Sequence, residues 1–179
     1  MRAARAVLLG AVFAALACTQ AGAGWDPEET IKQATFTLTP GRCAGVVVMT
    51  PSHALTAAHC LEEGEERVEI ELLDGRRIDA TVALVDRGQD VAVLLLDEPA
   101  PVTPLAVADG LPNEGDGVWF SGRNDRPGLI QFVEIRKLAP CPSLPEVPQA
   151  LHTTLRGSPG DSGAPIVDLH MQVVGLVHG

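Results

Sequence analysis

The chain has 179 residues, with 13 Lys and Arg against 23 Asp and Glu and a formal net charge of −10. With Lys only at positions 32 and 137, so acidic a chain is poorly suited to nucleic acid or to an anionic membrane surface. Its length fits one domain, or two small lobes sharing one unit.

The first residues read as an export signal. Arg2 and Arg5 make a basic start, and the apolar run 6–17 falls short of the about 20 residues that a bilayer span takes. Ala21-Gly22-Ala23 is a small-x-small cleavage site, so a signal peptide is expected over 1–23. A rival is lipoprotein processing before Cys18, because Ala15-Leu16-Ala17-Cys18 is a loose lipobox. The first route predicts secretion or release to a periplasm, the second a lipid anchor at the cell envelope. Both take the chain out of the cytoplasm, where disulfides are permitted, and neither calls for a transmembrane span.

Beyond the signal the period is that of strands. Short β-branched runs at 34–38, 45–49, 68–73, 78–85, 91–96, 118–121, 130–135 and 166–177, the last broken near His170, alternate with turn residues. That pattern predicts an all-β barrel or sandwich. Residues 57–61 suit one helical turn, and no other segment has a convincing 3.6 period. Asp74-Gly75 signals a hairpin. Glu62-Glu63-Gly64-Glu65-Glu66 reads as a solvated loop; a calcium loop is the sharper alternative, though the carboxylates lack an ordered ligand spacing. The Pro-rich stretch 97–104 reads as a connector between lobes at 24–100 and 101–179, and a second Pro-rich loop spans 140–148.

Two short motifs carry chemistry: Thr56-Ala57-Ala58-His59-Cys60 and Gly160-Asp161-Ser162-Gly163-Ala164-Pro165. Singly each is unremarkable, since Gly-Asp-Ser-Gly suits any surface turn and a lone His is often a core residue. Together they supply a hydroxyl and the side chain best suited to take its proton at neutral pH. Gly160 permits a tight turn that aims its N–H, with that of Ser162, at a developing oxyanion. A bulky residue at Gly163 is expected to crowd an approaching carbonyl. Such a pair needs a carboxylate to orient the imidazole. Asp90 opens the apolar run Val91-Ala92-Val93-Leu94-Leu95-Leu96, where an acid is costly unless paired. Asp74, Asp79, Asp86 and Asp97 are the neighbouring candidates.

The motifs, in the order His59, Asp90, Ser162, resemble those of the trypsin-like (chymotrypsin-fold) serine peptidases, in particular a compact bacterial-type secreted member. The resemblance covers roughly residues 34–179 and is specific at three short places. It implies a two-lobed antiparallel β-barrel fold with the site in the cleft, His59 and Asp90 on the first lobe and Ser162 on the second. It implies an oxyanion hole at Gly160 and Ser162, and a disulfide between Cys43 and Cys60 that leaves Cys141 over. Closing a loop of that length stabilises by about 3 kcal/mol in the loop-entropy picture. Peptide or protein substrates follow, with no cofactor and no metal.

The chain departs from the family in four ways. It stops near the strand that pairs with substrate backbone, so the second barrel is expected to be incomplete. It has no zymogen-cleavage site, so Asp161 needs a partner other than a freed ammonium. The cysteine usual four residues before the nucleophile is Ser158, and the pocket-floor position six before Ser162 is Arg156. Arg156 and His178 together suggest a pocket for Glu side chains; the alternative is a small apolar pocket lined by Leu155 and Val177. The expected function is a secreted serine endopeptidase. A catalytically dead relative that binds a partner through the same cleft, and an esterase using the same nucleophile, are the readings set against it.

Overall fold

The computed structural model describes residues 26–41, 43–122 and 130–178. The expected signal peptide and the lipobox at Cys18 lie outside the described residues. Among the described residues no helix is long and apolar enough to cross a membrane.

The first element is one the strand period did not suggest. Helix α1 spans Pro27–Ala34, and the strand expected from position 34 begins only at Thr35. Its signal was local. Asp26 caps the helix, its Oδ1 accepting the Glu28 and Glu29 N–H groups at 3.0 and 3.4 Å. Pro27 fits the first helical turn, where its missing N–H costs nothing, and two acids sit at the positive end of the helix dipole. Ile31 and Ala34 turn inward and are fully buried.

Six strands then close a barrel: β1 (Thr35–Leu38), β2 (Cys43–Val47), β3 (His53–Thr56), β4 (Arg67–Leu72), β5 (Arg77–Asp86) and β6 (Val91–Leu96), in the order β1-β2-β3-β6-β5-β4. Every neighbour pair is antiparallel, and closure leaves no unpaired edge. The alternation in β4 explains its orientation, with Val68, Ile70 and Leu72 inside and Arg67, Glu69 and Glu71 outside. Phe36 fills the centre and lies so close over Gly45 that a side chain there would collide with its ring. Gly75, with φ +82°, closes the β4–β5 hairpin where the Asp-Gly pair signalled a turn. The acidic run 62–66 folds into a turn of its own, the Glu62 N–H donating to the Glu65 carboxylate at 2.9 Å.

The second lobe is a six-stranded sheet: β7 (Ala106–Val107), β8 (Gly117–Ser121), β9 (Ile130–Ala139), β10 (Ala150–Thr153), β11 (Pro165–Val167) and β12 (Gln172–Leu176), in the order β10-β9-β8-β11-β12-β7. Val118, Phe120, Val133, Ile135 and Ile166 form its core. The all-β, two-lobed chymotrypsin-like architecture is therefore present. Strands β3, β7 and β10 were not among those expected from periodicity. They are short; β3 and β7 each have a partner far along the chain, β6 and β12, while β10 is an edge strand paired only with the preceding β9.

The lobes share packing. Ile31, Val46, Val48, Leu105, Val167 and Val173 form one buried cluster from helix, barrel and second sheet. Ala44, on barrel strand β2, is buried with Val118, Phe120 and Ala164 of the second lobe.

Candidate active site

His59 sits on a single 3-10 turn, Ala58–Cys60, that follows β3. Several ties hold the turn. Cys60 is bonded to Cys43 at the head of β2, with Cα atoms 6.1 Å apart, as the resemblance implied. The Arg87 guanidinium donates to the carbonyls of Ala58 at 3.1 Å and Leu61 at 3.3 Å. The buried Thr56 hydroxyl donates to Ala44 O at 2.7 Å. Arg87 carried no recognisable signal in the sequence, because its role is to satisfy carbonyls that only the folded turn exposes.

Asp90 stands just before β6, with the left-handed φ of +54°. Such a conformation is uncommon outside glycine, and Asp tolerates it better than most residues. It aims the carboxylate back at the histidine turn. Asp90 O accepts the Ala58 N–H at 3.2 Å. Oδ1 accepts the His59 N–H at 2.9 Å, and Oδ2 lies 2.8 Å from His59 Nδ1. A second imidazole reaches the same oxygen: His178 Nδ1 lies 2.6 Å from Oδ2. Asp90 is only 6% exposed. Burial pushes its pKa up, but the hydrogen bonds from His178 and from the amide and ring of His59 outweigh burial and hold it below its ordinary value. It is a carboxylate at neutral pH.

Ser162 follows a tight turn. Ser158-Pro159-Gly160-Asp161 is closed by the Asp161 N–H donating to Ser158 O at 3.0 Å, with Pro second and Gly160 third at φ +91°. Those are the residues and the φ sign of a type II turn. Asp161, 1% exposed, folds back so that Oδ2 accepts the Ser158 N–H at 2.6 Å. Among the described residues the amides of Gly160 and Ser162 donate to no protein acceptor, and Ser162 Oγ makes no hydrogen bond to His59. Catalytic hydrogen bonds are often long before substrate arrives.

Gly163 departs from its expected role. Its φ is +82°, and a side chain there would strike Ala44 O, Thr56 Oγ1 and Ala57 N. The space it spares belongs to the junction between lobes, rather than to an approaching substrate carbonyl.

The pocket residues also part company. A cleft of about 570 Å³ is lined by Leu155, Val177 and His178 among others. Arg156 is exposed and does not line it. Both nitrogens of His178 are engaged, Nδ1 with Asp90 and Nε2 with Ser143 Oγ at 3.0 Å. Arg156, expected at the pocket floor, and His178, expected on its wall, therefore do not meet in one pocket, because Arg keeps its charge in water at little cost whereas Asp90 holds His178 inward. Ser143 itself, in the Pro-rich loop, was not foreseen. Nothing in Pro142-Ser143-Leu144 points to a histidine that lies 35 positions later.

Two groups of ligand-type side chains converge among the described residues. Cys43, His59 and Cys60 offer no cation site, since the sulfurs are bonded to each other. His59, Asp90 and His178 have donor atoms within 4.8 Å of one another and are joined by the hydrogen bonds already described.

Known proteins share this fold. A family model described as a trypsin-like peptidase domain matches residues 43–176. HhoA of Synechocystis sp., a serine protease candidate, is 26% identical over 143 residues, which is 76% of this chain and 36% of that protein. A Halomonas elongata protein named "Probable periplasmic serine endoprotease DegP-like" is 28% identical over 138 residues, 74% of this chain and 28% of its own length. The chain thus spans about a third of the length of the curated relatives it matches. Among solved structures, the inactive form of the Rv3671c protease of M. tuberculosis H37Rv superposes with a TM-score of 0.68 at 25% identity, over 86% of this chain and 81% of that one. The HtrA-type protease AlgW with tripeptide gives 0.69 at 22% identity, over 84% and 52%, a likeness of fold.

Proposed function

Because the chain belongs to the trypsin-like peptidase domain family, we propose that it is an exported serine endopeptidase with His59, Asp90 and Ser162 as its catalytic residues. The observation that carries this reading is the double hold of Asp90 on His59, through the backbone N–H at 2.9 Å and the ring Nδ1 at 2.8 Å. Asp90 then fixes the tautomer with the proton on Nδ1, leaving Nε2 free to act as a base. Ser162 Oγ attacks the scissile carbonyl as His59 Nε2 takes its proton. The uncommitted amides of Gly160 and Ser162 receive the oxyanion. His59 returns the proton to the leaving amine, and a water completes hydrolysis of the acyl-enzyme by the reverse path.

The residue before the scissile bond enters a small apolar pocket with Leu155 and Val177 on its wall. In this reading the lobes divide the work, 24–100 presenting the base and 101–179 the nucleophile. Export rests on the signal-like segment 1–23, on the periplasmic designation in the name of the Halomonas relative, and on a disulfide suited to an oxidising compartment. The test is turnover of a quenched fluorescent peptide library. Ser162→Ala should lower kcat by about three orders of magnitude or more with the melting temperature unchanged. Turnover in that variant equal to wild type, or no turnover in wild type, defeats the reading; the latter favours a cleft used only for binding.

A further inference from the structure

The Ser-His-Asp arrangement of hydrogen bonds occurs in this structure at a second serine. Ser143 sits in the Pro-rich loop, on a turn closed by the Leu144 N–H donating to Cys141 O at 2.9 Å. Its side chain is exposed. Its Oγ lies 3.0 Å from His178 Nε2, and the other ring nitrogen of His178 lies 2.6 Å from Asp90 Oδ2. Asp90 is a buried carboxylate and accepts only. His178 Nδ1 must therefore carry the proton that bonds to it, which leaves Nε2 as a bare lone pair and makes the Ser143 hydroxyl its donor. That is the arrangement by which a base activates a serine, with the base held in the working tautomer by an acid. Ser162 makes no hydrogen bond to His59 in the same structure.

We propose that Ser143 is a second nucleophile, with His178 as its base and Asp90 as the shared orienting acid, and that it accepts acyl groups from esters with an apolar acyl chain. The proposal does not depend on Ser162 being reactive. The acyl preference comes from the surroundings. Cys141 and Leu144, the two ends of the turn, both line the cleft of about 570 Å³, together with Leu151, Leu155 and Val177. An apolar chain buried there is removed from water while its carbonyl lies at the turn. In the step itself a bond forms between Ser143 Oγ and the acyl carbon, and the bond from that carbon to the alkoxy oxygen breaks. The proton passes from Oγ to His178 Nε2 and then to the departing alkoxide. The products are O-acyl-Ser143 and a free alcohol. The Cys141 thiol, 3.1 Å from Ser143 Oγ, is the competing nucleophile.

Sharing Asp90 has a consequence. His59 Nδ1 and His178 Nδ1 meet the same oxygen, and the ring centroids are 5.4 Å apart. One carboxylate oxygen orients both rings, so the two serines draw on one acid.

The experiment uses the full chain carrying Ser162→Ala. It is treated with a fluorophosphonate and, separately, with p-nitrophenyl butanoate, and adducts are located by intact mass and peptide mapping. For the fluorophosphonate the Oγ–P bond forms as the P–F bond breaks and fluoride leaves. The expected result is a single adduct on the peptide bearing Ser143 with each reagent. It should be absent in Ser162→Ala/Ser143→Ala and formed at least about 100-fold more slowly in Ser162→Ala/His178→Asn, which keeps a donor near Asp90 but has no base. An adduct on Cys141 or another serine, no adduct, or an undiminished rate without His178 overturns the proposal. Should the His178 variant melt early, the Ser143→Ala arm decides alone. In the wild type, adducts mapped to Ser162 but never to Ser143 refute this inference and leave the proposed function standing. Adducts on Ser143 but never on Ser162 do the opposite.

Discussion

The Ala44 N–H donates to the Ser162 carbonyl at 2.8 Å, so a strand of the barrel that carries His59 grips the backbone of the serine on the other lobe. Gly163 completes the grip, its N–H donating to Val177 O at 2.8 Å while its bare Cα clears Ala44 O. Alignment of the proposed base and nucleophile is therefore a property of the junction between lobes.

Gly163→Ala tests the junction. The new methyl must both occupy φ +82° and displace barrel backbone, and a left-handed non-glycine residue alone costs about 1–3 kcal/mol. The melting temperature should fall by at least about 4 °C. Peptide hydrolysis should fall much further than the folded fraction does. Calorimetry and initial rates on the same sample check this, and a stable, fully active variant contradicts it.

Asp90→Asn probes the acid. An amide can donate to His59 Nδ1 and select the wrong tautomer, so turnover should drop by about four orders of magnitude. Stability should respond to pH with a definite sign. The folded pKa of Asp90 is lowered, so its contribution is present above the ordinary Asp value of about 3.9 and lost as pH falls through the folded value. Urea titrations from pH 7 to 2.5 should find wild type ahead of the variant at the upper end and the gap closing below about pH 4. A gap that widens on acidification excludes this account.

The histidine turn depends on its disulfide. Replacing Cys43 and Cys60 together by Ala should cost about 3 kcal/mol, from the loop of 17 residues that the bond closes. The transition should move down by about 6–12 °C. Mapping of unreduced peptides should recover Cys43 with Cys60, and Cys141, a free cysteine here, with neither.

Specificity should be indifferent to Arg156. With that side chain in solvent and Leu155 and Val177 on the cleft, cleavage should follow small apolar residues and be unchanged by Arg156→Ala. A library digest showing cleavage after Glu that disappears in the variant would restore the charged-pocket idea.

What the sequence determined by itself was local or periodic. Alternation in Arg67-Val-Glu-Ile-Glu-Leu72 needs only the pleat of a strand to sort its faces. Asp74-Gly75 and Ser158-Pro159-Gly160 carry their turns in their own φ preferences. Asp26-Pro27-Glu28-Glu29 marks a helix start by its cap, its proline and its acids, a signal that is local and carries no period. His59, Asp90 and Ser162 stood out as candidates only together, as a base, an acid and a hydroxyl in that chain order, each being unremarkable alone. The tertiary structure alone decided which partners those residues meet. His178 lies 88 positions from Asp90 and yet shares its oxygen with His59. Arg156, six positions from Ser162, is left in water. Gly163 answers to a carbonyl on the opposite lobe. Local sequence controls which way the backbone turns, but the distance between two side chains so far apart is set by barrel closure and lobe packing. Those are summed over the whole chain, and no short segment encodes them.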